Sequence, residues 1–260
     1  MNYKNLLLEK KEEDILIIYI NRPSNLNSLN KDTLNELHVV FKEASEQQQI
    51  SVIVITGFGK HFSVGADVTE FKDITWQEAR EISELGHRVF KSIEECPKPV
   101  IGAINGYALG GGLELAISCH LLVASKEAKL GLPEVNLALI PGFGGTQRLT
   151  RLIGRFRAFE MIMSGGIIGA DYAKSIGILN DTVEANLLID RCLSIATDIK
   201  KKSAIAISSI INCVNSFYND GVNGYDVEIN SFSELFRHKD HKEGIYAFLE
   251  KRPPKFRERQ

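Results

Sequence analysis

Residues 98–118 read KPVIGAINGYALGGGLELAIS, a stretch in which a short apolar run, three consecutive glycines and a second apolar segment follow one another. The first run, residues 100–104, is almost continuously apolar, which is typical of a strand covered on both faces. The segment after the glycines, which contains Glu114, has the composition of a buried helix. The stretch therefore predicts a strand, a glycine-bearing turn and a helix in succession.

Two earlier stretches repeat this order. Residues 15–20 (ILIIYI) and 52–56 (VIVIT) are short runs rich in β-branched residues, and each ends at a turn. Between them, residues 31–44 carry apolar side chains at helical spacing, with Asn30 or Asp32 as the capping residue. Strands that alternate with helices predict an α/β fold built in layers.

The last part of the chain has a different pattern. Apolar residues line one face of residues 204–218 and, less regularly, one face of residues 227–236, which predicts helices. The change near residue 195 divides the chain into a core, residues 1–195, and a helical region, residues 196–260. Because no Pro/Ser-rich linker separates them, the helical region is expected to pack on the core or on a neighbouring subunit.

The composition is that of an ordinary globular protein. Of 260 residues, 44% are hydrophobic and 25% charged, and 31 Lys and Arg against 33 Asp and Glu give a formal net charge of −2. This balance excludes a fibre or a disordered chain, and the lack of a basic stripe predicts no nucleic-acid partner. No apolar stretch approaches the roughly 20 residues that span a bilayer, and the first residues lack a signal-peptide pattern, so no membrane association is expected.

The four cysteines lie far apart in apolar or helical contexts. No C-x-x-C pair occurs, and neither cysteines nor histidines have the spacing of metal ligands. The sequence therefore predicts buried free thiols, a reducing cytoplasmic environment and no metal. The cysteines are Cys96, Cys119, Cys192 and Cys213.

Three common catalytic or nucleotide-binding motifs are absent. Gly142 and Gly144 are followed by Gln147 where a G-x-G-x-x-G motif needs its third glycine. The sequence has no G-x-x-x-x-G-K-[ST] loop, and His61 stands two residues before Ser63, which excludes a G-x-S-x-G elbow. Nucleotide-dependent enzymes and serine hydrolases are thus disfavoured.

Two turns remain as places for chemistry. Residues 61–67 (HFSVGAD) and 105–114 (NGYALGGGLE) each follow a predicted buried strand and contain small residues that leave backbone N–H groups exposed where a helix begins. On neighbouring strands, the turns can direct one N–H each at a single oxygen, which is the construction of an oxyanion hole. The alternative is that glycines 110–112 only allow close packing or a turn with positive φ.

Two glutamates lie next to these turns in otherwise apolar stretches. Glu114 begins the apolar helical segment, and Glu134 follows Pro133. Two desolvated carboxylates beside an oxyanion hole can share the roles of acid and base. Two different explanations stay open: a salt bridge from Glu114 to an arginine, and an interaction of Glu134 with a helix dipole after a proline at the first helical position.

Four stretches, in this order, resemble the enoyl-CoA hydratase/isomerase family, also called the crotonase family: HFSVGADVTEF, KPVIGAINGYALGGGLELAISC, LGLPEVNLALIPGFGGTQRLTRLIG and FLEKR. The similarity extends from NRPSNLNSLN, which begins at residue 21, to the last dozen residues. Because acids stand at both positions 114 and 134, the chain is most similar to short-chain enoyl-CoA hydratases. The resemblance implies a spiral of repeated ββα units with a C-terminal helical trimerisation region, assembled as a homotrimer or homohexamer.

The resemblance also implies roles for individual residues. The N–H groups of Ala66 and Gly111 would form the oxyanion hole for a thioester carbonyl. Glu114 would be the base toward water, Glu134 would deliver the proton to Cα, and the backbone at Gly142 would help to place the water. The substrate would be an acyl-CoA thioester, so that no separate cofactor and no metal is required. The residues implied in CoA binding are Asn25, Leu26, Val64, Asp67 and Val68, with Phe232 and Lys251 near the adenine end and supplied by a neighbouring subunit in an oligomer.

The sequence departs from the family pattern at five positions. Ser24 and Thr69 stand where many relatives have basic residues that meet the CoA phosphates. Leu113 and Leu132 replace a smaller residue and a glutamine beside the two acids, which puts the acyl pocket and the orientation of the later acid in question. His120 stands where relatives often have an aspartate and is interpreted as a structural histidine.

The sequence thus predicts an enoyl-CoA hydratase that converts trans-2-enoyl-CoA reversibly to 3-hydroxyacyl-CoA. Its nearest rival is an enoyl-CoA isomerase that uses Glu134 alone. Three more distant rivals are a family hydrolase, a C–C bond-forming enzyme of the naphthoate-synthase kind, and an inactive CoA-binding or RNA-associated scaffold. The intact pair of acids counts against all three.

Overall fold

The apolar runs in the first half of the chain lie side by side in a computed structural model that describes residues 3–256. These residues form two sheets, one of six strands and one of three, together with ten α-helices, so that the predicted α/β class is confirmed. The strands are β1 (Leu6–Lys11), β2 (Ile15–Ile20), β3 (Val52–Gly57), β4 (Val100–Ile104), β5 (Tyr107–Leu109), β6 (Leu121–Ser125), β7 (Lys129–Gly131), β8 (Ile167–Gly169) and β9 (Asp181–Val183). The α-helices are α1 (Lys31–Glu46), α2 (Trp76–Glu94), α3 (Gly111–Ala116), α4 (Gly145–Ile153), α5 (Arg155–Ser164), α6 (Ala170–Ser175), α7 (Leu188–Lys200), α8 (Ala204–Ser216), α9 (Gly224–Leu235) and α10 (Lys239–Leu249).

The larger sheet has the strand order β1-β2-β3-β4-β6-β9. Its first strand, β1, runs antiparallel to β2, and the other neighbouring pairs are parallel. All residues of β3 and β4 are buried, as expected of central parallel strands covered on both faces. Because the carboxyl ends of parallel strands lie at one edge of a sheet, the turns after β2, β3 and β4 are neighbours at that edge.

Both glycine-bearing turns contain more structure than predicted. The chain after β4 forms β5 before α3 begins, and a short 3-10 helix, Val68–Phe71, lies between the other turn and α2. A strand of three residues has no usable period, so the sequence pattern does not reveal β5. The Ser63 N–H donates to the carbonyl of Tyr107 over 2.9 Å, and the Leu109 N–H donates to the carbonyl of Ser63 over 3.0 Å. The two turns are thus hydrogen-bonded directly to each other.

The helix α2 has no counterpart among the predicted elements. The Thr75 hydroxyl accepts the N–H of Glu78, and the Glu78 carboxylate accepts the N–H of Thr75. This reciprocal capping fixes the beginning of the helix. Its buried face includes Ile82, Val89 and Phe90, and the helix packs against α1. The same helix borders the functional cavity described below.

The helix α7 covers the other face of the larger sheet. Its buried residues Leu188, Cys192 and Ala196 cluster with apolar side chains of β2, β3, β4 and β6. Residue 195 therefore lies inside a helix that packs on the core. The predicted division of the chain into a core and a helical region at residue 195 stays a prediction. The helices with exposed apolar faces begin after Lys200.

The last three helices, α8 to α10, leave large apolar side chains exposed. Ala247 is the one apolar residue of these helices that is fully buried against residues 3–256. Such a surface is larger than the single exposed apolar residues that most proteins carry. Its exposed members include Ile210, Val214, Phe217, Tyr225, Ile229, Phe232, Phe248 and Leu249.

The described residues contain neither a disulfide nor a membrane span. All four cysteines are free; Cys96 and Cys192 are buried, while Cys119 and Cys213 are half-buried. The prediction of free thiols is confirmed, but the predicted burial holds only for Cys96 and Cys192. The reducing compartment stays a prediction. None of the helices within residues 3–256 combines the length and hydropathy needed to cross a bilayer.

Candidate active site

A cavity of about 900 Å³ opens beside the two paired turns. Its walls come from the turn at residues 61–67 with its 3-10 helix, from α2, from the beginning of α3, and from residues 134–147. Both predicted glutamates line it, in a surface that is otherwise largely apolar, as in most small-molecule sites. The lining residues that matter below are Ala66, Val68, Ser83, His87, Gly111, Glu114, Glu134, Gly142, Phe143 and Gly144.

The N–H groups of Ala66 and Gly111 lie close together in the cavity wall. A Cβ built on Gly111 would lie 3.2 Å from the Ala66 nitrogen, and one built on Gly65 would lie 3.2 Å from the Gly111 nitrogen. Gly65 has a φ of +106°, a conformation that favours glycine. Neither of the two N–H groups donates a hydrogen bond to an acceptor within residues 3–256. Because a backbone N–H away from bulk water needs an acceptor, the pair can donate to an oxygen of a ligand in the cavity.

Glu114 is buried in α3 with an exposed fraction of 1%. Its Oε1 accepts the N–H groups of Phe143, over 2.8 Å, and of Gly145, over 2.6 Å. A Cβ on Gly145 would lie 2.9 Å from the same oxygen, so the close approach requires glycine. Within the described chain Glu114 forms no ion pair, and the explanation by a salt bridge to an arginine is therefore wrong.

The pKa of Glu114 is raised to about 7. Burial is the largest cause, because it disfavours the charged form, and the negative charge of Glu134 adds to it. The hydrogen bonds from Gly145 and Phe143 and the charge of Arg148 act in the opposite direction. A carboxyl group whose pKa lies near neutrality is suited to exchange protons at physiological pH.

Glu134 lies in a short 3-10 helix, Pro133–Leu137, with the proline in the first turn. The local prediction of an acid after a helix-starting proline is confirmed, but the carboxyl group also lines the cavity. Its Oε2 is buried and has no hydrogen-bond partner among the described residues. A Cβ on Gly110 would lie 2.7 Å from its Oε1, and burial raises the pKa of this carboxyl group. The structure thus brings both glutamates to one cavity, which sequence spacing alone does not show.

The turn at residues 141–144, which lies immediately before α4, supplies contacts that the sequence pattern does not predict. The Ser83 hydroxyl of α2 donates to the carbonyl of Gly142 over 2.6 Å, and the side of Gly142 that would carry a Cβ is open for 4 Å. Phe143 and Gly145 donate to Glu114, and Gly144 has a φ of +104°. The glycine cluster PGFGGT is the signal in the sequence that marks this turn.

The residues implied in CoA binding are not all near the cavity. Val68 lines it, whereas Asn25 and Leu26 lie at the surface beside Val64, whose N–H donates to the Leu26 carbonyl over 3.2 Å. Phe232 lies in α9, in the wall of a separate apolar recess formed by the C-terminal helices. Within the described chain, neither Phe232 nor Lys251 borders the cavity that contains the two glutamates.

Asp67 is held by residues of its own surroundings. Its carboxylate pairs with Arg22 over 3.0 Å and accepts the hydroxyl groups of Ser28, over 3.3 Å, and Thr69, over 2.6 Å. The hydrogen bond from Thr69 and the charge of Arg22 keep the pKa of this carboxyl group below its usual value. These contacts tie the turn at residues 61–67 to the segment after β2.

The departures from the family pattern that flank the two acids lie in the core. Leu113 and Leu132 are fully buried and do not line the cavity. His120 accepts the Val100 N–H at Nδ1 over 2.9 Å, and its Nε2 lies 3.0 Å from the carbonyl of Glu94. The prediction of a structural histidine is confirmed.

Within residues 3–256, no three side chains of His, Cys, Asp or Glu gather closely enough to hold a metal ion.

Comparisons with known proteins give one consistent result. A sequence model of the family described as Enoyl-CoA hydratase/isomerase matches residues 10–259. The chain is similar to a crotonyl-CoA hydratase of Syntrophomonas wolfei subsp. wolfei, with 41% identity over 98% of this chain and 99% of the relative. It is also similar to a short-chain-enoyl-CoA hydratase of Clostridium acetobutylicum, with 40% identity over 97% of each chain.

The three-dimensional structure gives the same result. It is similar to the crystal structure of an enoyl-CoA hydratase from Bacillus anthracis, with a TM-score of 0.92 and 36% identity over 97% of this chain and 99% of that one. An enoyl-CoA hydratase subunit from Geobacillus kaustophilus has a TM-score of 0.93 with 35% identity, over 98% of this chain and 99% of its own. The fold expected from the resemblance is thereby confirmed.

Proposed function

Because the chain belongs to the enoyl-CoA hydratase/isomerase family, we propose that it is an enoyl-CoA hydratase, which adds water reversibly across the double bond of a trans-2-enoyl-CoA to give the 3-hydroxyacyl-CoA. The observation that carries the proposal is one buried and one half-buried glutamate in a single cavity, beside two backbone N–H groups that have no partner in residues 3–256. The relatives from Syntrophomonas wolfei and Clostridium acetobutylicum are both named as hydratases of short enoyl-CoA substrates.

The N–H groups of Ala66 and Gly111 form the oxyanion hole. When water adds to Cβ of the conjugated thioester, negative charge develops on the carbonyl oxygen. Donors that are already in place stabilise such a charge without reorganisation, and the loss of one typically costs about 3 kcal/mol in the transition state. The hydrogen bonds between the two turns support this role, because they hold the two donors at a fixed separation.

The two glutamates divide the proton transfers. Glu114 removes a proton from the water as the water oxygen bonds to Cβ, and Glu134 gives a proton to Cα. The net change is the addition of one water molecule. The backbone at Gly142 helps to place that water. The raised pKa of Glu134 supports its role as the donor, because it keeps the carboxyl group protonated to higher pH. Proton exchange with solvent or between the two carboxyl groups then restores the starting state.

The CoA portion of the substrate lies along Asn25, Leu26, Val64, Asp67 and Val68 in this proposal, and no separate cofactor is needed. Phe232 and Lys251 reach the adenine end from a neighbouring subunit of a homotrimer or homohexamer. Two features support this arrangement: both residues lie outside the cavity of their own chain, and α8 to α10 expose a broad apolar surface.

The first test is the loss of the conjugated-enoyl ultraviolet absorbance when the protein is mixed with crotonyl-CoA. We expect rapid decay, and unchanged decay in a Glu127→Gln control, which removes an exposed carboxylate from the turn before β7. A 3-enoyl-CoA is assayed in parallel. Formation of the conjugated product without hydration of crotonyl-CoA would identify an isomerase instead, and no reaction with either substrate would contradict the proposal.

The hydration rate at low substrate concentration is expected to rise with pH and to level off above about pH 7. The base must be ionised, and burial holds the pKa of Glu114 at about 7. Burial raises the pKa of Glu134 as well, so the profile reports the titration of the coupled pair. The measurement is kcat/KM for crotonyl-CoA as a function of pH. A profile that stays flat through neutrality would contradict the assignment of Glu114 as the base.

A further inference from the structure

Arg148 is a buried cation in α4 that lies outside the lining of the cavity. Its Nη1 donates to the carbonyl of Phe143 over 2.9 Å. Its Nη2 and Nε donate to one carboxylate oxygen of Glu94, over 3.0 Å and 3.3 Å. One guanidinium group thus joins the turn before α4 to the last residue of α2.

The residue that Arg148 holds, Phe143, also contacts the proposed base through the preceding peptide group. Phe143 donates its N–H to Glu114 and accepts Arg148 at its carbonyl. A Cβ on Gly144 would lie 2.3 Å from Arg148 Nη1, so the chain folds closely around the guanidinium group. Rotation of this turn would move both N–H groups that Glu114 accepts, from Phe143 and Gly145.

Glu94 is itself held in place from two other elements. Its carbonyl oxygen lies 3.0 Å from His120 Nε2 and accepts the Asn215 side-chain amide of α8 over 2.6 Å. These contacts hold the main chain of Glu94, from which the half-buried carboxylate pairs with the Arg148 guanidinium group in charge-assisted hydrogen bonds. Arg148 therefore contacts Glu94, whose main chain is held in place, and at the same time the turn before α4.

We propose that Arg148, fixed by Glu94, is a positioning residue for catalysis, which holds the Phe143 peptide so that Glu114 keeps the orientation needed to take a proton from water. This inference rests on the proposed hydratase function. Arg148 acts through Phe143 and touches neither the substrate nor the reacting water. Misplacement of a catalytic group by about 1 Å can reduce a rate by roughly 10²-fold, so the expected effect is on kcat more than on KM.

The charges around Glu114 allow the same proposal to be tested by a titration of this carboxyl group. Glu134 raises the pKa of Glu114, and Arg148 lowers it. Burial and the charge of Arg148 lower the pKa of His87 of α2, which favours its neutral form. Glu94 is paired with Arg148. Removing the arginine therefore takes away a positive charge and loosens a donor, and both changes raise the pKa of Glu114.

The test compares Arg148→Met with Arg151→Met, which removes an exposed arginine from the same helix. For Arg148→Met we expect kcat for crotonyl-CoA to fall by roughly 10- to 100-fold, with KM changed little. The acid limb of the pH profile should move to higher pH. The pKa of Glu114, followed by carboxyl ¹³C NMR without substrate and assigned with Glu114→Gln, should rise in the same variant. Arg151→Met should retain the wild-type kcat, the wild-type pH profile and the wild-type pKa of Glu114.

The outcomes separate the two proposals. If wild-type protein does not hydrate crotonyl-CoA, the proposed function fails, while the NMR titration still reports on Arg148. If wild-type protein is active and folded Arg148→Met matches Arg151→Met in kcat and in the pKa of Glu114, the positioning role is overturned. If Arg148→Met does not fold, Arg148→Lys replaces it. Lysine keeps the charge but cannot span both partners, so it should lower kcat and raise the pKa of Glu114 only through the loosened donor. A wild-type kcat in that variant would overturn the proposal.

Discussion

Glu114→Gln is expected to reduce the hydration of crotonyl-CoA by roughly 10²- to 10⁴-fold, the range that a positioned base contributes. The amide oxygen can still accept the N–H groups of Phe143 and Gly145, which leaves the fold intact. It cannot take a proton from water. The measurement is the rate of crotonyl-CoA absorbance loss, with KM and the far-ultraviolet circular dichroism recorded for the same preparation.

The same variant is expected to be more stable than the wild type above pH 7. The folded-state pKa of Glu114 is about 7, against 4.5 for an unperturbed glutamate. Stability of the wild type therefore falls as pH rises between these values, since the unfolded chain releases the proton first. Glutamine removes this penalty, which amounts to at most about 3 kcal/mol. Thermal unfolding near pH 8 should show a higher Tm for the variant, and the difference should shrink near pH 5.

Two results would count against the role of Glu114. Near-normal hydration by folded Glu114→Gln protein would exclude Glu114 as the base. A decrease in Tm at high pH would show that the carboxylate stabilises the fold, contrary to the effect of its burial.

Glu134→Gln is expected to reduce hydration by a similar factor, roughly 10²- to 10⁴-fold, because Cα no longer receives its proton from a carboxyl group. Its Oε2 has no hydrogen-bond partner in residues 3–256, so the substitution breaks no contact of that atom. The measurement is again absorbance loss, together with exchange of the Cα proton in deuterated solvent. The exchange should fall in parallel with hydration.

The matched control for this variant is Glu127→Gln, which makes the same change of charge at an exposed position in the turn before β7. It should behave as the wild type. If Glu134→Gln leaves hydration and the exchange at Cα near normal, some other group delivers the proton and the division of roles between the two acids is wrong.

The parts of the fold that follow from local periodicity could be predicted. The run at residues 15–20 forms β2, residues 100–104 form β4, and α1 begins after Asn30, whose side chain accepts the N–H of Thr33. The strands β5, β7 and β8 could not, because three residues carry no periodic signal. Their pairing is set by tertiary contacts between distant segments.

The candidate site, like the fold, could be predicted from the sequence only in part. Glu114 and Glu134 are recognisable as acids in apolar surroundings, and their approach to one cavity depends on the sheet that joins their segments. The N–H donors that hold Glu114 come from Phe143 and Gly145, far along the chain, and no local pattern links these positions. The contribution of Arg148 is equally non-local, since it requires the end of α2 and the beginning of α4 to meet.

Two parts of the cavity lining differ in how far their residues are buried. Ala66, Gly111 and Glu114 lie in segments that follow the buried strands β3 and β4, whereas another part of the lining contains Leu139 and Ile140, which is 74% exposed. Substitutions at exposed positions rarely disturb a fold. Substitutions at Leu139 or Ile140 are therefore expected to change the shape of the cavity while the segments that carry Ala66, Gly111 and Glu114 keep their structure.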